Sequence, residues 1–227
     1  MGLRILIRKV QLMGIHWERA LTPIISYHDE HYYRIIFVST KGKQKSTAIF
    51  NQLESSFLFC SKCGFHKVSQ STNQTCPHCE SIMQRCGPLF AGSMQDSKWL
   101  KNILEKTPIK EKEVRRVISQ LQEDCFLDEE YQKQELEKKA ITKEKNPEEK
   151  LENKKQPIEE YSQVTSIVGS YDTHKLCKLH KLIVKTIAKT ITQLEDKGFV
   201  ATQSVFPRTG IKTTAPFEEI LSCLKTK

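Results

Sequence analysis

No run of apolar residues in this 227-residue chain is long enough to cross a bilayer, so a membrane-spanning helix is not expected. The start lacks the charged stretch, apolar core and small-residue cleavage site of a secretion signal. An intracellular protein is therefore expected, cytoplasmic first, with nuclear or mitochondrial placement left open. Glycine occurs nine times and never as a G-x-G pair. A glycine loop is needed where backbone closely approaches a nucleotide-type cofactor, because a side chain would block it, so no catalytic and no cofactor-binding residue is assigned. Aromatic residues are 8% of the chain, hydrophobic residues 38% and charged residues 28%. That is a rather polar composition with room for one or two domains and a real core.

What the chain does have is cysteine in a pattern. Cys60-Ser61-Lys62-Cys63 and Cys76-Pro77-His78-Cys79 are two CxxC knuckles twelve residues apart. Such knuckles can fold back on each other and present four thiolates tetrahedrally, which is how a structural zinc site is built. Gly64 supplies the permissive backbone that a knuckle turn often needs. A single CxxC would point to a redox dithiol; the second makes metal the better reading. Zinc held this way has no open position for water activation, so His66 and His78 read as bystanders, with His78 as a substitute ligand the lesser alternative. Cys86, Cys125, Cys177 and Cys223 follow no spacing and read as buried reduced thiols.

The net charge is +9. Residues 105 to 160 hold 13 Lys or Arg against 16 Asp or Glu, a net of −3, which leaves +12 on the remainder. A basic excess on the folded parts favours a polyanion partner, although a merely soluble basic protein would look similar.

Leu3, Leu6, Ile7, Val10 and Met13 recur at helical spacing, with Arg4, Arg8 and Lys9 off that face and Gly14 placed to stop the helix. A helix that opens a chain without a cap or preceding turn suggests the tail of a longer chain. Residues 22 to 59 turn to β character, densest over Tyr32, Tyr33 and Ile35 to Val38, followed by a basic turn at Lys41-Gly42-Lys43-Gln44-Lys45. Phe57 to Phe59 lead as a strand into the first knuckle, and Trp99, Leu100, Ile103 and Leu104 read as a short helix. Thr107 and Pro108 read as a helix start carrying Val114, Val117, Ile118 and Leu121. From about Asp128 to residue 160 the composition reads as a solvated helix or disordered linker. Leu176, Leu179, Ile183, Ile187, Ile191 and Leu194 form one helical stripe opposite Lys178, Lys181, Lys185 and Lys189, ended by Gly198. Strands over 199 to 206 and 211 to 214, a turn at Pro207-Arg208-Thr209-Gly210 and a last helix from Pro216 complete the chain. Helix followed by hairpin suggests a winged-helix-like unit, a shape often used on nucleic acid.

The fold class expected is α+β: residues 1–16 a helix left from a preceding domain, 17–104 a zinc-pinned unit with a mixed sheet, 105–160 helix and charged linker, and 161–227 a helix-hairpin unit. Gly2-Leu3-Arg4-Ile5-Leu6, Pro23-Ile24-Ile25-Ser26, Tyr32 to Phe37, the paired knuckles, Gly87 to Gly92 with Asp96, and Ile211 to Pro216 occur in that order. Together they resemble the C-terminal half of the tRNA (guanine-N2)-dimethyltransferases, which methylate guanosine 26. The resemblance implies tRNA as partner and S-adenosylmethionine as methyl donor, bound in an N-terminal Rossmann-like domain, where the guanine amino group attacks the methyl carbon and an acidic motif takes up the proton. It also implies that the cofactor domain is missing from this chain or separately encoded, so that the chain alone would not catalyse. Ala201 to Val205 departs from the family's pattern by an arginine and a histidine, and Phe90 stands where a tryptophan is common.

Arg34, Lys41, Lys43, Lys45, Lys62, Lys67 and Arg208 are RNA-contact candidates by charge and expected exposure, and Lys212 and Thr213 are singled out by the resemblance. His28 and His31, flanking Asp29 and Glu30, read as a polar loop because adjacent residues in a strand or turn point apart. A non-catalytic zinc-ribbon module that binds RNA or protein is the alternative function, and a thiol redox protein a weaker third.

Overall fold

A computed structural model describes residues 1–29, 32–51, 55–69, 74–108, 110–145, 166–204 and 209–225. Helix α1 (Gly2–Ile15) buries Leu3, Arg4, Ile7, Arg8, Gln11 and Gly14. The apolar stripe expected to face inward is therefore rotated: Leu6 and Met13 are exposed, while two arginines point in. Both arginines find partners that hydrophobicity cannot register. Arg4 donates to the carbonyls of Phe90 at 3.0 Å and Gly92 at 2.7 Å and to Ser166 Oγ at 2.8 Å. Arg8 donates to the carbonyl of Ile49 at 2.9 Å. Charge-assisted bonds of this kind offset the desolvation that would otherwise exclude the side chain.

Strands β1 (Arg19–Asp29) and β2 (Tyr32–Lys41) form a two-stranded antiparallel ribbon with a register shift between Pro23 and Ile25. Even-numbered residues of β2 share a face with Ile25 and Tyr27, and odd-numbered ones with Leu21 and His28. Gly42 ends the ribbon, and the expected basic turn becomes the first turn of helix α2 (Lys43–Asn51). Strand β3 (Ser55–Phe59) pairs with β4 (His66–Ser69) and β5 (Gln84–Leu89) in a three-stranded antiparallel sheet, order β4-β3-β5. Helix α3 (Ser97–Lys106) starts at Asp96, whose side chain accepts the Trp99 N–H.

Thr107 is the C-cap of α3 rather than a helix start. Helix α4 spans Lys112–Lys145, so the described part of the expected linker is helical. Leu127 and Asp128 are buried, which shows that the packed part of α4 runs further than its charged composition suggested. Residues 146 to 160 lie outside the described residues. The C-terminal elements are β6 (Tyr171–Asp172), α5 (Thr173–His180), α6 (Ile187–Glu195), β7 (Ala201–Gln203), β8 (Gly210–Thr213) and α7 (Phe217–Lys225), with sheet order β6-β8-β7. The single helical stripe expected over 176 to 194 is broken. Lys181 takes a left-handed conformation after α5, and Thr186 caps α6 by accepting the Lys189 N–H.

One buried cluster joins Leu58, Cys60, Cys63, Cys76 and Met83 to Leu176, Leu194, Ile211, Phe217, Ile220 and Leu224. The knuckle unit and the C-terminal unit therefore share a core. A second cluster gathers Ile25, Leu100, Ile118, Leu121 and Cys125.

Four ionisable groups meet inside. Lys212 Nζ lies 3.1 Å from Asp128 Oδ1, which also accepts the Ile167 N–H at 3.0 Å. Asp124 stands beside them with a buried Oδ1 that has no hydrogen-bond partner. Burial lowers the Arg4 guanidinium to about 10, opposed by Asp128 and Asp124. Burial raises the Asp124 carboxyl to about 6, opposed chiefly by Lys212.

Lys212→Met should lower stability by about 3–5 kcal/mol, because Asp128 is left as an uncompensated buried charge; urea unfolding measures it. Because the folded pKa of Asp124 is raised, its stabilising contribution is present below the usual carboxylate range and is lost as pH rises toward about 6. Asp124→Asn should therefore gain stability relative to the parent chain as pH rises from about 4 to about 6. A pH-independent difference in urea midpoint would contradict this.

Candidate metal centre and nucleic-acid interface

The two knuckles are built alike. The Cys60 N–H donates to the carbonyl of Phe65 and the Gly64 N–H to that of Cys60, at 2.8 and 2.9 Å. In the second, the Cys76 N–H donates to the carbonyl of Ser81 and the Glu80 N–H to that of Cys76, both at 2.9 Å. Gly64 and Glu80, the equivalent positions, both have positive φ. A glycine is required at the first for a further reason: a Cβ there would lie 2.5 Å from Leu176 Cδ2 of α5.

These turns bring the Sγ atoms of Cys60, Cys63, Cys76 and Cys79 within 4.8 Å of one another. Cys60 and Cys79 are 3.4 Å apart at sulfur, and Cys63 and Cys76 are 3.6 Å apart. Disulfide sulfurs would be at about 2.05 Å, so the thiols are free, whereas a tetrahedron with arms of about 2.3 Å has edges near 3.8 Å. The group can hold a metal ion, and a four-thiol donor set suits zinc. Hydrogen bonds from Ser81 pull the Cys79 thiol down to about 6, and burial pushes that of Cys63 up.

An aromatic cluster seats the knuckles on the C-terminal unit. Phe65 packs against His78 and Phe217 with ring centroids 4.5 and 5.5 Å apart, and His66 stacks on Tyr171 at 4.0 Å. His78 Nδ1 lies 3.2 Å from Glu218 Oε1. Both histidines of the knuckle region thus have packing and pairing partners of their own. Burial lowers the His66 imidazole to about 4. His180, which sequence reasoning passed over, donates from Nε2 to the Cys63 carbonyl at 2.8 Å. Nothing in the spacing of α5 and the knuckles could have revealed it.

The basic candidates fall into two groups. Lys41, Lys43, Lys45 and Lys62 are exposed and Lys67 is half-buried. Arg34 is exposed beside the rings of Tyr27 and Tyr32, at 5.8 and 5.3 Å, and donates to the Tyr27 hydroxyl at 3.0 Å. Lys212 and Thr213 are different: both are buried, Lys212 against Asp128, while the Thr213 hydroxyl donates to the Val200 carbonyl at 2.8 Å. The family resemblance singled them out, but their side chains are bonded inside the protein. Arg208 and His31 lie outside the described residues.

Fold and site together define an α+β protein whose four-thiol centre is buried between a small sheet and a C-terminal helical unit. A family model described as N2,N2-dimethylguanosine tRNA methyltransferase matches residues 1–149 and 118–225, and the chain belongs to that family. It is 25% identical over 229 residues to the tRNA (guanine(26)-N(2))-dimethyltransferase of Methanobrevibacter smithii, covering 99% of this chain and 50% of the relative. The enzyme of the same description from Methanospirillum hungatei is 27% identical over 231 residues, covering 99% and 52%. The chain thus spans about half the length of the curated relatives it matches along its whole extent. Among solved structures, Trm1 from Pyrococcus horikoshii in complex with S-adenosyl-L-methionine aligns with a TM-score of 0.70 and 20% identity, covering 99% of this chain and 49% of that one. That likeness concerns the fold.

Metal analysis of purified chain should return zinc at one ion per molecule, and a strong chelator or Cys76→Ser should loosen the C-terminal unit as well as the knuckles, because they share one core. Hydrogen exchange of α5 and α7 measures this; unchanged protection after zinc removal would contradict it.

Proposed function

We propose that this chain is the RNA-binding, zinc-stabilised C-terminal half of a tRNA (guanine(26)-N2)-dimethyltransferase, and that S-adenosylmethionine is bound by polypeptide outside it. The observation that carries this reading is topological. All strand pairings among the described residues are antiparallel, in sheets of two or three strands. A Rossmann-like cofactor site sits instead at the carboxyl ends of a parallel sheet, beside a glycine loop.

For RNA, three features support the reading. Lys41, Lys43 and Lys45 are exposed around the first turn of α2, a helix terminus whose dipole also favours phosphate. Arg34 sits with Tyr27 and Tyr32 at an exposed ribbon, a pairing of cation and aromatic suited to unstacked bases. The helix pair α5 and α6, followed by a hairpin whose strand β8 also pairs with β6, has the element order of a winged-helix module. Zinc in the four-thiol centre would hold the shape of this platform and supply no catalytic step.

Unmodified tRNA transcript should bind the chain with strong salt dependence. Replacing Lys41, Lys43 and Lys45 by alanine should lower the log–log salt slope by roughly 2. Incubation of the chain alone with tRNA and S-adenosylmethionine should give no methyl transfer by nucleoside mass spectrometry. Dimethylguanosine in that sample would overturn the division of labour.

A further inference from the structure

The segment from Thr173 to Leu194 holds five lysines and no aspartate or glutamate. It comprises α5, the turn after it and all of α6 except its last residue. Two of the five lysines have partners. Lys175 lies 3.9 Å from Asp172, and Lys185 donates from Nζ to the Cys223 carbonyl of α7 and to Gln193 Oε1. Lys178, Lys181 and Lys189 are exposed, and among the described residues no carboxylate pairs with them.

The turn between the two helices is apolar. Lys181 closes α5 in a left-handed conformation, and the Leu182 N–H returns to the Cys177 carbonyl at 2.8 Å. Leu182 thereby packs against the core, while Ile183 and Val184 face solvent, 88% and 48% exposed, and Leu179 of α5 is 42% exposed. Turns are ordinarily made of glycine, proline, asparagine, aspartate or serine, which supply the bend and stay in water without cost. A β-branched pair earns its place in a strand or a core, and this pair is in neither. The tip is also held in place. Lys185 ties its far side to α7, and the His180 Nε2 bond to the Cys63 carbonyl ties the end of α5 to the first knuckle. Leu179 fills the space beside Gly64, where a Cβ would lie 3.4 Å from its Cδ1.

A fixed apolar tip rimmed by unpaired cations fits a ligand that offers anions and uncovered apolar faces together. RNA does so where the stacking of its stems is interrupted, because phosphates then flank bases whose faces are open. A continuous duplex offers the phosphates alone. A second copy of this chain would set lysine against lysine, which opposes association.

We propose that the α5–α6 turn is an RNA-contact wedge: Ile183 and Val184 pack against bases uncovered at a break in stem stacking, and Lys178, Lys181 and Lys189 take the flanking phosphates. This rests on the RNA reading given above and adds to it a surface separate in the chain from Lys41, Lys43 and Lys45.

The test titrates the full chain with unmodified tRNA transcript and with a continuous RNA duplex of similar length. Ile183→Ser with Val184→Ser should weaken tRNA binding about fivefold or more, leaving duplex binding and the log–log salt slope unchanged. Replacing Lys178, Lys181 and Lys189 by alanine should lower that slope by roughly 2 for both RNAs. Circular dichroism of both variants should match the parent, since all five side chains lie at the surface. An unchanged slope in the lysine variant, or an equal loss on tRNA and duplex in the serine variant, would overturn the proposal. So would parent chain that binds phosphatidylserine vesicles through Ile183 and Val184, which would assign the tip to a membrane. Parent chain that fails to bind tRNA would sink the RNA reading and this surface with it, whereas binding that neither variant alters would sink the surface alone.

Discussion

The seating of the cysteine knuckles against α5 and α7 is the constraint on which the rest of this structure depends. Sheets of two and three strands cannot exclude water from a core by themselves. Here Cys60, Cys63 and Cys76 are interior residues of the same cluster that holds Leu176, Phe217 and Ile220. The closeness of Gly64 to Leu176 and the bond from His180 to the Cys63 carbonyl leave the knuckle no freedom to shift on that surface. Free energy released on closing a four-thiol centre is folding free energy. With a shared core, a metal held there would stabilise the C-terminal helices as well as the two turns that hold the sulfurs.

Basic residues divide between interior and surface in a way that net charge conceals. Arg4, Arg8 and Lys212 are among the most buried side chains, each with acceptors placed for it: carbonyls for the arginines and a carboxylate for the lysine. These cations organise backbone rather than attract polyanions. Arg4 connects α1 to the strand end at Phe90 and Gly92 and to Ser166, while Lys212 connects β8 to α4. Of the RNA-contact candidates read from the sequence, Arg34, Lys41, Lys43, Lys45 and Lys62 are the exposed ones among the described residues.

Features set by local chemistry were legible in the sequence. The CxxC spacing brought four sulfurs together, Gly14 and Gly198 fall at the ends of α1 and α6, and Pro216 precedes α7. Features decided by distant partners were not. Arg4 and Arg8 turn inward because carbonyls more than forty residues away accept their protons. Thr107 closes α3 because its N–H donates to the Ile103 carbonyl, and Arg115 then bonds the carbonyls of Leu104 and Thr107. Helix α2 was hidden by lysines in its first turn, which ordinarily disfavour a helix start and here are tolerated at the surface. The break between α5 and α6 was hidden because both halves keep one apolar period across it.

Helix α4 gives these parts a fixed spacing. Its Ile118 and Leu121 pack under the ribbon, and its Asp128 holds Lys212 and the Ile167 N–H in the C-terminal unit. From Ile118 to Asp128 a helix advances about 15 Å, and as a rigid rod it sets the distance between the two. The Lys212–Asp128 pair on α4 is then a positional requirement. Moving Asp128 by one residue would rotate it about 100° around the helix, away from Lys212, and uncouple the ribbon from the C-terminal unit.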